Sequence, residues 1–125
     1  MTRKRLPATR KAVTHKVVIY TNQGIDPNSP VEVFITVGMY DDGRPGEVFI
    51  RTVNEHKGPY EQWAIALSFL LQSKTDFRSI YAKFAWASYE PSGMTDDPDI
   101  RNAKSITDYA IRWIGKEFKQ IEEIK

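Results

Sequence analysis

The sequence predicts an α+β domain in which an antiparallel sheet of three or four strands carries about three helices, packed mainly on one face. Residues 13–53 hold three runs rich in β-branched and aromatic residues, and the connections between these runs are too short for crossover helices. Residues 59–121 instead repeat apolar residues at helical spacing. A chain of 125 residues, of which 41% are hydrophobic, can bury one ordinary core, so we expect one domain.

Three strands are predicted in the first half of the chain, over residues 13–21, 31–40 and 47–53. Residues 22–30 are rich in Gly, Pro, Asn and Asp, which indicates a loop. The second strand is apolar on both faces, so we expect either cover on both faces or a partner subunit, and hence a homo-oligomer. The Asp42-Gly43 pair between two apolar runs predicts a hairpin that joins the second and third strands.

Three helices are predicted in the second half, over residues 59–72, 76–84 and 105–121. The first is apolar almost all round, which predicts a central position in the core. Ser105 and Asp108 stand at the spacing of a capping box, with Asp in place of Glu, and mark the start of the third helix. Between the second and third helices we expect a long loop, up to about Ala103.

Positive charge is concentrated at the N-terminus. The net charge is only +2, yet the first sixteen residues carry six Lys or Arg and no acid. We therefore expect a basic arm over residues 1–12 and a single domain over residues 13–125. Such an arm either binds phosphates, nucleic acid or an acidic protein face, or is a solvated tail, and the sequence leaves both alternatives open.

The residue types present argue against catalysis by the chain itself. It has no Cys, which excludes disulfides, thiolate zinc sites, a Cys nucleophile and thiyl-radical chemistry. His15 and His56 are its two histidines, and neither has a second ligand at metal-binding spacing. There is also no phosphate-loop or dinucleotide-binding motif. We predict no enzyme activity, no metal and no cofactor.

Hydropathy gives no sign of a membrane protein. No apolar run reaches the ~20 residues of a membrane span, and the N-terminus is charged. We therefore predict a cytoplasmic location and no membrane partner.

A phosphate site is predicted where the third helix begins. The first turn of a helix presents free N–H groups and the positive end of the helix dipole, which attract anions. Lys104 and the Ser105 hydroxyl could hold a phosphate there, and the alternative is plain capping by Ser105 with Lys104 in solvent. Arg44 and Arg51, which bracket the predicted hairpin, are expected to add phosphate contacts.

A base-stacking site is predicted in the segment that precedes this helix. Trp86 and Tyr89 lie in a stretch with turn residues, among them Ser92 and Gly93, where an aromatic ring can stack on a base. The candidate ligand-binding residues are Arg44, Arg51, Trp86, Tyr89, Ser92, Gly93, Lys104 and Ser105.

Several short motifs, in this order, resemble a known family. They are Arg5-Leu6-Pro7, Thr14-His15-Lys16, Thr36-Val37-Gly38, Asp42-Gly43-Arg44-Pro45-Gly46-Glu47, Tyr89-Glu90-Pro91-Ser92-Gly93, Ala103-Lys104-Ser105-Ile106 and Arg112-Trp113. In these motifs the chain is similar to the TSCPD domain, which follows the catalytic barrel in adenosylcobalamin-dependent (class II) ribonucleotide reductases. The barrel, its radical-forming and redox cysteines and its cobalamin site have no counterpart in this sequence, so no catalytic residue is carried over.

The resemblance implies a setting in nucleotide metabolism and a stand-alone copy of an accessory domain. It favours a non-catalytic module that binds a nucleotide or docks on a reductase subunit. Two alternatives stay open. One is a viral sponge, made by a phage, that sequesters a nucleotide-derived immune signal in the host cytoplasm. The other is a module that only binds other proteins.

Overall fold

The computed structural model describes residues 3–21, 30–52 and 57–120, and these form five strands and three helices. The elements are β1 (Ala12–Thr21), β2 (Val31–Met39), β3 (Pro45–Thr52), α1 (Lys57–Leu71), α2 (Phe77–Phe84), β4 (Gly93–Thr95), β5 (Asn102–Ala103) and α3 (Ile106–Glu117). The predicted α+β class is confirmed. Most of the predicted loop at 22–30, together with His56 and Ile121, lies outside the described residues.

The sheet has five strands where three or four were predicted. Its order is β3-β2-β1-β4-β5, and every neighbouring pair is antiparallel. The strands β4 and β5 lie in the segment that was expected to be loop. They are only three and two residues long and contain Gly93 and Asn102, residue types that are depleted in strands, so their sequence carries no strand pattern.

The hairpin between β2 and β3 forms where it was predicted. Gly43 has a φ of +89°, a conformation that favours glycine, and its N–H donates to the Tyr40 carbonyl at 2.9 Å. The Asp42 carboxylate accepts a hydrogen bond from the Arg44 backbone N–H at 3.0 Å. The turn is thus stabilised by the same Asp and Gly residues from which it was predicted.

The central helix is α3, and the prediction that the first helix is central is wrong. Every residue from 106 to 115 is buried, whereas Ile65 and Phe69 of α1 are 50% and 53% exposed. Helix α1 instead runs along the outer edge of β3. There the Ser68 hydroxyl accepts from the Val48 N–H at 2.8 Å. This contact gives a hydrogen-bond partner to a backbone N–H at the edge of the sheet, where such groups otherwise remain unpaired.

The described part of the basic N-terminal segment, residues 3–11, is held against the domain. The Lys4 N–H donates to the Gln72 carbonyl at 2.8 Å, and the Lys4 carbonyl accepts from the Tyr40 hydroxyl. Arg10 forms a two-bonded ion pair with Glu47 at 2.7 and 2.8 Å. The division into arm and domain stays a prediction, but these contacts bind this segment to the hairpin and to the end of α1.

Among the described residues, no helix is long and apolar enough to cross a membrane. The cytoplasmic location stays a prediction.

Candidate functional site

The segment between α2 and β4 is fastened to the start of α3 by four hydrogen bonds. The Trp86 N–H donates to the Asp108 carboxylate, and the Ser105 hydroxyl donates to the Ala87 carbonyl at 2.7 Å. The Tyr89 N–H donates to the Lys104 carbonyl at 3.0 Å, and the Tyr89 and Thr107 hydroxyls share a further hydrogen bond. The two predicted sites, around Trp86 and around Lys104, are therefore neighbours.

Asp108 organises this junction from a fully buried position. Its carboxylate accepts from two backbone N–H groups, those of Trp86 and Lys104, and from the Arg112 guanidinium at 3.0 and 2.7 Å. The predicted capping box is confirmed, since the Ser105 hydroxyl accepts from the Asp108 N–H at 3.0 Å. The role of Arg112 was missed, although the Asp-to-Arg spacing of four residues on one helix was a signal that could have found it.

Trp86 lies at the rim of this junction. Its φ is +71°, an uncommon conformation for a bulky residue, and its indole is 45% exposed. The Arg112 guanidinium lies 4.1 Å from the ring centroid, which places a cation on one ring face. Only the other face is left for a stacked ligand.

A cleft of about 490 Å³ opens beside this junction, between the start of α1 and the segment that carries Tyr89. It is lined by Pro59, Tyr60, Trp63, Tyr89, Glu90 and Thr107. Burial raises the pKa of the Tyr60 phenol, so the hydroxyl stays protonated at neutral pH. Of these six residues the sequence analysis named only Tyr89 as a candidate for ligand binding. Pro59, Tyr60 and Trp63 come from a distant part of the chain that only folding brings beside it.

The cleft combines the two features of a small-molecule site. Its volume lies within the roughly 300–1,000 Å³ that such sites occupy. Trp63 and Tyr89 offer aromatic stacking surface, and Tyr60 lines the cleft from a buried position. The exposed Glu90 carboxylate is a polar group that can fix the orientation of a ligand, whereas the Thr107 hydroxyl is buried and bonded to Tyr89.

The predicted residues nearest to the cleft divide into exposed and buried ones. Lys104 is exposed, and its backbone is bonded to that of Tyr89. Ser105 is fully buried, and its hydroxyl donates to the Ala87 carbonyl and accepts from the Asp108 N–H, as in the capping alternative. Ser92 is half-buried. Gly93 is buried in β4, where a Cβ would come within 2.2 Å of the Tyr20 carbonyl oxygen, so it serves strand pairing.

Arg44 and Arg51 do not join this group. Arg44 follows the end of β2 that pairs with the start of β1, whereas β4 pairs with the far end of β1 and β5 pairs with β4. Ten residues of β1 separate these ends by roughly 30 Å at ~3.3 Å per residue. Arg44 is instead paired with Asp42 at 2.8 Å, and Arg51 lies 5.0 Å from the Phe34 ring on the other face of the sheet.

A second polar cluster lies between the sheet and α3. The Tyr109 hydroxyl donates to Asp97 at 2.7 Å and lies 2.7 Å from His15 Nε2, which must therefore be the donor in the second bond. The His15 ring stacks on Trp113, with centroids 4.6 Å apart. Burial lowers the pKa of His15, against the opposing charges of two aspartates. Burial also raises the pKa of Tyr109. The cluster ties β1 to α3.

Comparisons with known proteins identify relatives of nearly the whole chain. The chain is 40% identical to a vitamin B12-dependent ribonucleotide reductase from Rhodopirellula baltica over 119 residues. The match covers 93% of the chain and 11% of the length of that reductase. The reductase of the same name from Streptomyces avermitilis is 33% identical over 96% of the chain and 12% of its own length. The one from Agrobacterium fabrum is 32% identical over 93% of the chain and 9% of its own length.

The chain thus spans about a tenth of the length of these curated relatives. No family model and no solved structure matches it. The chain is therefore related, over nearly its whole length, to one short segment of the vitamin B12-dependent ribonucleotide reductases, as its motifs indicated.

Proposed function

We propose that this protein is a non-catalytic accessory module of the class II reductase type that binds a nucleotide, with the base in the cleft between Tyr60, Trp63 and Tyr89. The observation that carries the proposal is that three aromatic rings line one cleft of about 490 Å³. Stacking on an aromatic ring contributes about 1–3 kcal/mol per base and suits every base. The names of the relatives, which are ribonucleotide reductases, support a ligand of this class.

The polar groups of the cleft suit a base and its sugar. The Glu90 carboxylate can accept from an exocyclic amine or a ribose hydroxyl, and the bond from Thr107 holds the Tyr89 hydroxyl in place. Lys104 is the exposed cation whose backbone adjoins Tyr89, so it is placed to meet a phosphate outside the cleft. Ser105 holds the start of α3 and the segment of Ala87 together and does not contact the ligand.

The non-catalytic part of the proposal rests on the sequence. Ribonucleotide reduction in the class II enzymes uses cysteines, and this chain has none. Vitamin B12, which the names of the relatives carry, finds no evident cobalt ligand in the described part of the chain. His15 is occupied by its hydrogen bond to Tyr109 and by its stack on Trp113. No step of the proposed function passes through that cofactor.

Calorimetric titration with the four ribonucleoside triphosphates and their nucleosides tests the proposal. Trp63→Ala should weaken binding of nucleoside and triphosphate alike, by about 1–3 kcal/mol. Ile65→Ala, an exposed position on the same helix outside the cleft, is the matched control and should change nothing. Trp63 also packs against Phe84, so Tyr89→Ala repeats the test at an exposed ring.

Charge reversal separates the phosphate contact from the base contact. Lys104→Glu should weaken the triphosphates and leave the nucleosides unchanged, because only the former carry an anion. Lys74→Glu makes the same change of charge just beyond the opposite end of α1 and should have little effect. Absence of binding across the whole panel, or equal losses in the variants and their controls, would contradict the proposal.

A further inference from the structure

The described lining of the aromatic cleft contains one charged side chain, the carboxylate of Glu90. This side chain is exposed, and no hydrogen bond or ion pair among the described residues engages it. A carboxylate only accepts hydrogen bonds, and its two oxygens can accept from two parallel donors at once. The described lining includes no Lys, Arg, His, Asn or Gln. A base that binds beside Glu90 must therefore bring the donors itself.

The hydroxyl groups of the cleft differ in whether they are already used. The hydroxyls of Thr107 and Tyr89 are bonded to each other. The Tyr60 hydroxyl has no hydrogen-bond partner among the described residues, yet none of their buried polar side-chain atoms lacks one, so its oxygen reaches the surface of the cleft. Burial raises the pKa of this phenol, so the hydroxyl stays protonated and can donate to a carbonyl of a ligand. The cleft thus offers the two acceptors of Glu90 and one free donor.

The position of Glu90 suits the edge of a base better than a phosphate. Glu90 directly follows Tyr89, which is fixed by the bond to Thr107 and by the bond from its own N–H to the Lys104 carbonyl at 3.0 Å. We therefore expect the edge of a base stacked on the Tyr89 ring to meet the carboxylate. The negative charge of Glu90 repels phosphates. The Watson–Crick edge of the base, which is the part of a nucleotide farthest from the phosphates, is thus the part that it can bind.

Among the four bases of RNA, guanine has the edge that fits a carboxylate. Its ring N1–H and its exocyclic amine are two donors side by side, and the neighbouring O6 carbonyl is an acceptor that the Tyr60 hydroxyl can serve. Adenine and cytosine place one amine beside the lone pair of a ring nitrogen, and uracil places one N–H between two carbonyls. A carboxylate that faces any of these three edges meets an acceptor beside the donor, and the two acceptors repel each other.

We infer that the cleft selects guanine nucleotides, with the two oxygens of the Glu90 carboxylate accepting from the N1–H and the exocyclic amine of the base. The inference rests on the nucleotide binding proposed above and adds the identity of the base. Stacking on Trp63 and Tyr89 suits every base, so the selectivity comes from Glu90. A contact of this two-bonded kind discriminates between bases by roughly 5- to 150-fold in affinity.

Calorimetric titration of the full chain with GTP, ATP, CTP, UTP and inosine triphosphate tests the inference. Inosine triphosphate is GTP without the exocyclic amine. The wild type should bind GTP more tightly than each of the others, by roughly 5- to 150-fold against the three common ones. Glu90→Gln puts a donor in place of one accepting oxygen, so it should abolish the preference for GTP over inosine triphosphate while ATP still binds. Glu61→Gln removes an exposed carboxylate of α1 outside the cleft and should keep the preference.

Equal binding of the four common nucleotides would overturn the inference and leave the proposed function standing. A preference for GTP that survives Glu90→Gln would overturn it as well, because another group would then read the base. An equal loss for every nucleotide in Glu90→Gln, matched by weak binding of dGTP to the wild type, would assign Glu90 to the ribose instead. Absence of binding by all of these nucleotides would contradict the proposed function together with the inference.

Discussion

At the scale of single residues, Asp108 is the most consequential side chain of the described structure. Its carboxylate is fully buried, pairs with Arg112 and holds the backbone N–H groups of Trp86 and Lys104. Asp108 therefore joins α3 to the segment of Trp86, and Arg112 of the same helix balances its charge. Buried pairs of this kind contribute little net stability as a unit, but the loss of one partner leaves an uncompensated charge.

We expect Asp108→Ala to lower the free energy of unfolding by about 3–5 kcal/mol, because the buried Arg112 would lose the carboxylate that balances its charge. Urea denaturation followed by tryptophan fluorescence measures this change. Asp99→Ala removes the carboxylate of an exposed ion pair with Lys116 and is the matched control, for which we expect little change. Equal losses of unfolding free energy in the two variants would mean that the buried ion pair matters no more for stability than the exposed one.

His15 gives the protein a defined pH dependence. Burial lowers its pKa below the ordinary value of 6.5, against the charges of Asp97 and Asp96. Since the unfolded chain then binds the proton more tightly than the folded one, the contribution of His15 to stability is complete above about pH 6.5 and is lost as the pH falls below it.

The denaturation midpoint of the wild type should therefore fall between about pH 7 and about pH 5 more steeply than that of His15→Gln. His56 is present in both proteins, so its titration cancels in the comparison. Parallel profiles for the two proteins would show that His15 titrates alike in the folded and unfolded states.

At the scale of elements, β4 depends on one glycine. Gly93 has a φ of +152°, and a Cβ there would come within 2.2 Å of the Tyr20 carbonyl oxygen and 3.3 Å of the Thr21 Cα. The close approach of β1 and β4 thus requires a residue without a side chain. Strand β4 in turn pairs with β5, which leads into α3 at the cleft.

We expect Gly93→Ala to destabilise the fold by at least about 1–3 kcal/mol, because it adds both a clash and backbone strain. A Cβ at Gly58, next to the start of α1, meets no atom within 4 Å, so Gly58→Ala should be tolerated. Thermal denaturation of the two variants gives the comparison. A melting temperature for Gly93→Ala close to that of the wild type would show that β1 and β4 can separate at little cost.

The elements also show how far local sequence patterns reach. The three long strands, the Asp-Gly hairpin and the cap of α3 were predicted, since each follows from residues near to one another in the chain. The position of α1 was not predicted. Apolar residues all round a helix indicate that it is buried, but they do not show which parts of the protein it packs against. Strand β4 forms by pairing with β1 and β5 by pairing with β4, so their own residues carry no strand pattern.

At the scale of the whole molecule, the candidate site was predicted in part. Tyr89 and Lys104 were singled out from their local context, and the structure brings them together. Tyr60 and Trp63 carry core-like helical spacing and join the cleft only because α1 starts beside the segment of Tyr89. Arg44 and Arg51 were grouped with Lys104 by charge alone, and β1 holds Arg44 at the opposite end of the sheet.

The aromatic cleft lies on the helical side of the molecule, where the start of α1, the start of α3 and the Tyr89 segment meet.

Chemical-shift mapping tests the cleft most directly. Backbone amide spectra of the labelled protein would be recorded while each ribonucleoside triphosphate is added in turn. We expect the largest changes at Tyr60, Trp63, Tyr89, Glu90 and Thr107, together with the Trp63 indole N–H. Unchanged spectra for all four nucleotides, or changes confined to the hairpin around Arg44, would contradict the assignment of the cleft as a nucleotide site.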